Sequence, residues 1–415
     1  MKKEQKISKK ELFGELAEGC GELLFELIFM VIGCAVLIIL GIDPEVVGDD
    51  GAILIGIAAI TVAVVTVCAL VKLIRRRLGY SESEPSRKKV MVRSRASRAN
   101  AEEVVDEGVK KIIFDTDIGG DCDDAGALAI IHRAEERGLA RLLALTVSTR
   151  DPWAPACADA INRYYGHTVP IGLCETAPKG DPTMAEFEER YGRHIAETFP
   201  HGYFPKTDVI PESAVRLMRK TLAENRGGKI TMVVVGSCVN LAALLESGAD
   251  DVSSLGGTEL VNGQVDKVVL MGGCFADDGE VMSEYNIKTD IRGAKVVFEK
   301  CPVPIAVSHF DVGLRVMSGS RLMEEELKTG NPAAEAYRFH VGGKRHSWDP
   351  IAAFYAIYGT CGAFSDERSG RVTVDDEGVT RLAEVKGDHF LIDCHNSDIC
   401  EAEFLLDRAM CGEIE

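Results

Sequence analysis

FDTDIGGDCDDAGAL, Phe114 to Leu128, places Asp115, Asp117, Asp121, Asp123 and Asp124 within ten residues. Crowded carboxylates repel one another and resist ionisation, so each one left unpaired costs stability. Something positive has to sit among them. The stretch follows the β-branched run VKKIIF (109–114) and leads into an apolar-periodic segment, Asp124–Arg137. It therefore reads as the turn between a strand and a helix.

Working outward, further short β-branched runs recur: RLLALTV (141–147), TVPIGL (168–173), KITMVVVG (229–236), DKVVLMG (266–272) and VPIAV (303–307). Helical patterns lie between them at Pro155–Tyr165, Pro211–Asn225, Leu241–Glu246 and Arg292–Glu299. Such alternation predicts an α/β fold, a mainly parallel Rossmann-like sheet with helices on both faces. Ligands in these folds bind beyond the carboxyl ends of the strands, where the aspartates stand. RVTVDDEGVTRL (371–382) reads as a hairpin turning at Asp-Glu-Gly. Residues 174–208 form a long polar stretch after the third strand, either a lid or a surface insertion carrying a helix.

The 415 residues carry a net charge of −18, unevenly spread. Residues 1–100 hold 15 Lys/Arg against 12 Asp/Glu, and the remainder 32 against 53. An acidic main domain is a poor partner for nucleic acid and a reasonable host for a divalent cation. The thirteen cysteines are irregularly spaced, without C-x-x-C, and read as reduced thiols, with neither a disulfide framework nor a zinc site.

Two uncharged apolar runs mark the N-terminal region, Leu27 to Ile42 and Gly51 to Val71. With their flanks they predict transmembrane helices over about 23–42 and 51–74, since roughly 20 apolar residues span a bilayer. Lys2, Lys3, Lys6, Lys9 and Lys10 precede the pair, and Lys72 with Arg75, Arg76 and Arg77 follow it. Positive flanks stay cytoplasmic. The expected organisation is a membrane hairpin over 1–77, a polar basic linker over 78–108 and a cytoplasmic catalytic domain over 109–415, held at the cell's inner membrane through lipid contacts of the hairpin.

Three explanations compete for the aspartates. A calcium-binding EF-hand loop would need Glu at its twelfth position, where Gly126 stands, and a helix before the loop. A haloacid dehalogenase-type phosphatase also places Asp-x-Asp after a first strand, but expects Thr where Gly119 stands and leaves Asp123–Asp124 unexplained. The third is the inosine/uridine-preferring nucleoside hydrolase family. DTDIGGDCDDAGALAI resembles its N-terminal motif in a longer Asp-x-Asp-Asp variant. VVVGSCVNLAALL (233–245), LMGGCF (270–275) with SEYNIKTD (283–290), and SWDPIAAFYA (347–356) resemble its later motifs, in the family's order.

The resemblance implies Ca²⁺-dependent hydrolysis of a ribonucleoside N-glycosidic bond, releasing free base and ribose through an oxocarbenium-like transition state. It implies metal ligation by Asp117, Asp124 and Asp349 and by the main-chain carbonyl of Val239, with Asp117 also the base that takes a proton from water. Asp123, Glu284 and Asn286 would grip the ribose. Asp115 would support the loop from behind. Asp121 belongs to the longer variant; it has no assigned role, and solvent exposure is its expected fate. A homo-oligomer is implied as well. A membrane-anchored protein that binds nucleosides without cleaving them is the non-enzymatic alternative.

Two departures from the family pattern stand out. Many members carry His before the late Asp as proton donor to the leaving base; here Trp348 stands there, as in the purine-preferring branch, where an aromatic ring stacks on the base. Purines are therefore weakly favoured, with His346 a further candidate donor. After the second strand, VSTRDPW (147–153) lacks the Asn that touches the sugar, and Trp153 reads as helix packing.

Overall fold

The structure is a computed structural model that describes residues 108–225, 229–275, 282–383 and 385–414. The expected membrane hairpin and almost all of the linker lie outside the described residues. Among the described residues, no helix is long and apolar enough to cross a membrane.

Ten strands form one sheet in the order β11-β10-β12-β7-β6-β5-β1-β2-β3-β4. They are β1 (Lys110–Thr116), β2 (Ala140–Val147), β3 (Ile171–Leu173), β4 (Glu212–Ser213), β5 (Ile230–Val234), β6 (Val265–Met271) and β7 (Ile305–Ser308), with β10 (Ser369–Val374), β11 (Thr380–Ala383) and β12 (His389–Ile392). From β12 through β4 every pairing is parallel; β10 runs antiparallel to both β11 and β12. The expected hairpin is β10–β11. A separate two-stranded ribbon joins β8 (Met317–Ser318) to β9 (Arg345–His346).

Alternate β1 residues face opposite cores. Ile112 and Phe114 pack with the helices Asp123–Glu136, Ala154–Tyr164, Trp348–Tyr358 and Ile399–Met410. Ile113 packs with Ala214–Glu224, Val239–Glu246 and Ile291–Lys300 on the other side. A sheet buried on both faces explains why its strands are near-continuous apolar runs.

The topology sets the position of the site. The chain runs outward from β1 through β2, β3 and β4, then returns to place β5 on the other side of β1. The strand order therefore reverses at β1, and the connections leaving β1 and β5 diverge there to open a crevice at their carboxyl ends. The aspartate turn leaves β1 at that crevice. Residues 174–208 hold two short helices, Met184–Glu188 and Tyr191–Thr198.

Candidate active site

The turn is built by local chemistry. Gly119 has φ of +118°, a conformation that side-chain-bearing residues rarely adopt. Its N–H donates to the Tyr191 hydroxyl at 2.9 Å, and its carbonyl accepts from the Gly192 N–H at 3.1 Å. The Thr116 hydroxyl donates to the Asp124 carboxylate and accepts from the Ile118 N–H. A reverse in direction this tight places Asp123 and Asp124 in the first turn of the following helix, both buried.

Asp349 arrives from far along the chain. It lies in the first turn of Trp348–Tyr358, and its N–H donates to Asp123 Oδ2 at 3.1 Å. Carboxylate oxygens of Asp123, Asp124 and Asp349 all lie within 4.8 Å of one another, and all three residues are buried. Asp117 lines the same cavity without completing a four-carboxylate group at that spacing. The cavity has a volume of about 680 Å³. Glu284, Asn286, Phe310 and Trp348 also line it.

Burial pushes Asp123, Asp124 and Asp349 well above the usual carboxylate range, and repulsion from neighbouring aspartates, Asp117 and Asp121 among them, adds to it. Burial raises Asp117 to about 7, with Arg190 the main opposing charge. Asp115 stands behind the turn. Burial lifts it to about 7, against hydrogen bonds from the Thr146 hydroxyl at 2.5 Å and Asn240 Nδ2 at 2.8 Å. These bonds tie β1 to β2 and to the helix Val239–Glu246.

The donor set fits a hard divalent cation. It offers only oxygens, and it converges from two distant segments. Oxygen ligation of this kind suits Ca²⁺ or Mg²⁺ and not a thiolate-seeking metal. Cys122, the nearest thiol in sequence, is a buried group that burial pushes up, away from the thiolate form.

The sugar-side candidates are also placed. Glu284 caps the helix Tyr285–Thr289, accepting from the N–H groups of Asn286, Ile287 and Gly273 at 2.9, 3.2 and 3.0 Å. Asn286 Nδ2 donates to the Val235 carbonyl at 2.7 Å, which leaves its side-chain oxygen available. Val239 opens the helix Val239–Glu246 and is not among the residues lining the cavity, whereas Val235 is.

Some expectations need correction. Asp121 is only partly exposed and is paired: it accepts from Arg345 Nε at 3.0 Å and Nη2 at 2.5 Å, with His340 Nε2 3.5 Å away. His346 lies in the β8–β9 ribbon and does not line the cavity; His340, unread in the sequence, does. Trp348 is held by its indole N–H, which donates to the Phe310 carbonyl at 3.0 Å. Its ring stacks with Phe310 at 5.8 Å and has the Arg345 guanidinium 5.0 Å from its centroid. Trp153 packs against Phe187 and Ala196, away from the cavity, as the sequence indicated.

Arg190, Tyr191, Tyr285, Phe310, His340 and Arg345 were all missed by motif reading. His340 and Arg345 sit within ten residues before Asp349, a proximity that was the one usable signal. Arg190 and Tyr191 come from the polar insertion, which carries no motif.

The site is thus an acidic cavity at the switch point of a mainly parallel sheet, with three buried carboxylates placed to hold a cation. The family described as inosine-uridine preferring nucleoside hydrolase matches residues 112–399. The chain belongs to that family, and it is an N-glycosyl hydrolase acting on ribonucleosides. That membership sets aside the phosphatase and non-catalytic alternatives.

Among solved structures, the inosine-uridine preferring nucleoside hydrolase of Bacillus anthracis is similar with a TM-score of 0.55 and 16% identity, over 72% of this chain and 99% of that one. An inosine-guanosine nucleoside hydrolase gives 0.56 and 16%, over 74% and 98%. The type III effector protein XopQ, complexed with adenosine diphosphate ribose, gives 0.52 and 17%, over 74% and 94%. At these identities the likeness is one of fold. No curated protein matches the chain.

Proposed function

We propose that the protein hydrolyses the N-glycosidic bond of ribonucleosides in a Ca²⁺-dependent reaction, with purine nucleosides weakly favoured. The observation that carries this reading is the convergence of Asp123, Asp124 and Asp349 in the cavity that Asp117 also lines. Asp117, Asp124 and Asp349 would hold the cation, joined by Asp123, whose carboxylate lies within 4.8 Å of those of Asp124 and Asp349. Bound there, the cation would screen the carboxylates and make water more acidic.

Asp117 takes the proton from the attacking water. Asn286, with Asp123 and Glu284, orients the ribose so that C1′ faces that water. As the C1′–N bond breaks, positive charge grows on the sugar, and the buried carboxylates stabilise it electrostatically. Phe310 and Trp348 supply an aromatic wall for the base, and His340 is an imidazole lining the same cavity. The XopQ complex with adenosine diphosphate ribose supports a fold that accommodates ribosyl compounds.

We also read residues 1–77 as a membrane hairpin tethering a cytoplasmic domain through the linker 78–108, and the chain as a homo-oligomer. The two apolar runs and their Lys/Arg flanks support the tether; family resemblance supports the oligomer. Fractionation of cells expressing the full chain and a chain lacking residues 1–77 tests the tether. Recovery of both in the soluble fraction would remove it.

The deciding assay measures free base and reducing sugar released from a panel of ribonucleosides, with and without chelator. Release that stops on chelation and returns with Ca²⁺ is expected, and Asp117→Asn should lower kcat at least about 1,000-fold. Undiminished turnover by Asp117→Asn would show that another group is the base.

A further inference from the structure

Two guanidinium groups line the acidic cavity, and their circumstances differ. Arg345 is occupied by Asp121. Arg190 is half-buried, and among the described residues no carboxylate lies within ion-pair distance of it. Its side chain is backed by the Phe187 ring, with Cζ 5.5 Å from the centroid. It passes close over Gly120, where a Cβ would stand 2.8 Å from Nη1. Asp117, Asp151, Asp181 and Glu186 all lie within Coulombic range of it without a direct ion pair, and two of them are bonded elsewhere. Glu186 accepts from the N–H and hydroxyl of Thr183, and Asp181 accepts from the Arg150 N–H at 2.7 Å.

The guanidinium is compensated at range by those carboxylates, but among the described residues none takes its planar fork in a direct pair, which leaves the fork for an anion on the ligand. Its position also says which end of a substrate it meets. Arg190 lies beside the Tyr285 hydroxyl, and Tyr285 stands between Glu284 and Asn286, the sugar-gripping pair of the hydrolase reading. The aromatic wall of Phe310 and Trp348 is associated instead with Arg345.

We propose that Arg190 receives an anionic group on the sugar side of the substrate, so that the preferred substrates are ribosyl N-glycosides carrying a 5′-phosphate. This rests on the hydrolase reading and narrows it. The chemistry stays balanced: water attacks C1′, the C1′–N bond breaks, the base leaves with a proton, and ribose 5-phosphate is the other product. The phosphoester is untouched. Guanidinium is suited to the task because its planar fork matches phosphate oxygens.

The test uses the full-length chain with inosine and inosine 5′-monophosphate as paired substrates. The wild type should show the higher kcat/KM on the monophosphate. Arg190→Gln should lower kcat/KM on the monophosphate roughly 10- to 100-fold more than on inosine, and Arg190→Lys should retain part of the preference. Calorimetry with ribose and ribose 5-phosphate gives a readout that needs no turnover. An equal or lower kcat/KM on the monophosphate overturns the proposal, as does a Gln variant that slows both substrates by the same factor, because Arg190 is then a counter-charge for the carboxylates. If neither substrate is cleaved, the hydrolase reading fails on its own. Arg190-dependent binding of ribose 5-phosphate would then still support the anion site, and its absence would overturn that as well.

Discussion

Arg345 and Asp121, separated by 224 positions in the chain, form a two-pronged ion pair, with Nε 3.0 Å and Nη2 2.5 Å from Asp121 Oδ2. The pair ties the aspartate turn to the segment that delivers Trp348 and Asp349. It also holds a guanidinium 5.0 Å from the centre of the Trp348 ring. Asp121 thus positions the aromatic wall from outside the carboxylate trio.

Removing either partner should therefore act through Trp348. Arg345→Met and Asp121→Asn are each expected to raise KM for nucleosides about 10-fold, with a smaller fall in kcat. In a double-mutant cycle the two effects should be less than additive, by about 1 kcal/mol, because residues in direct contact share one interaction. Full additivity would show that the pair is incidental to the wall.

The trio carries an opposite signature in stability. Asp124→Asn keeps an oxygen for the Thr116 hydroxyl while removing one of three mutually repelling charges. In chelator the variant should be as stable as the wild type or more so, by about 1 kcal/mol. Added Ca²⁺ should raise the Tm of the wild type, since binding only the folded state stabilises it. That rise should be largely lost in Asp124→Asn and Asp349→Asn. A wild-type Tm indifferent to Ca²⁺ would argue against the cation site.

Asp115 has a structural signature instead. Its Oδ1 accepts from both Thr146 and Asn240, and Asn240 also donates to the Val147 carbonyl at 3.1 Å. Asp115→Ala should lower stability by roughly 2–3 kcal/mol, because buried donors are left without acceptors. Asp115→Asn should cost less. Urea unfolding of both variants checks the order, and a milder loss for Ala than for Asn would contradict it.

Away from the carboxylates, His309 lies buried between Asp311 and Asp393, at 3.0 and 3.1 Å. Burial alone would lower its pKa, but the two carboxylates outweigh that and raise it above 6.5. Burial alone would likewise raise Asp311; bonds from His309 and the Phe275 N–H hold it at about 2. The histidine's contribution is present in full below pH 6.5 and is lost as pH rises through its raised pKa. The contribution of Asp311 is present above pH 3.8 and is lost as pH falls toward 2. In chelator, the stability difference between wild type and His309→Gln should be greatest near pH 4–6 and shrink on the alkaline side. A difference that grows above pH 7 would mean that His309 is held neutral.

Much of the sheet was legible because buried strands and amphipathic helices write their period into the chain. β1, β2, β5, β6 and β7 each fall within a few residues of their expected runs. β12 was not legible. His389–Ile392 is too short to show a period, and it becomes a strand by pairing in parallel with β7. The residues read for the site fared similarly. Asp117, Asp123, Asp124, Glu284, Asn286, Trp348 and Asp349 all line one cavity. Arg190 does so too, but nothing in its neighbours marks it, because a lone basic residue in a polar stretch is ordinarily solvated.

By itself, the sequence determined the strand–turn–helix that gathers five aspartates, and the distant motifs that had to meet it. These are local consequences of strand period, glycine conformation and helix-start chemistry. Only the tertiary structure decided which carboxylates converge, that Asp121 turns away to Arg345, and that His340 rather than His346 faces the cavity. Those outcomes depend on how elements more than two hundred residues apart pack on the sheet. Contacts at that range leave no periodic trace along the chain.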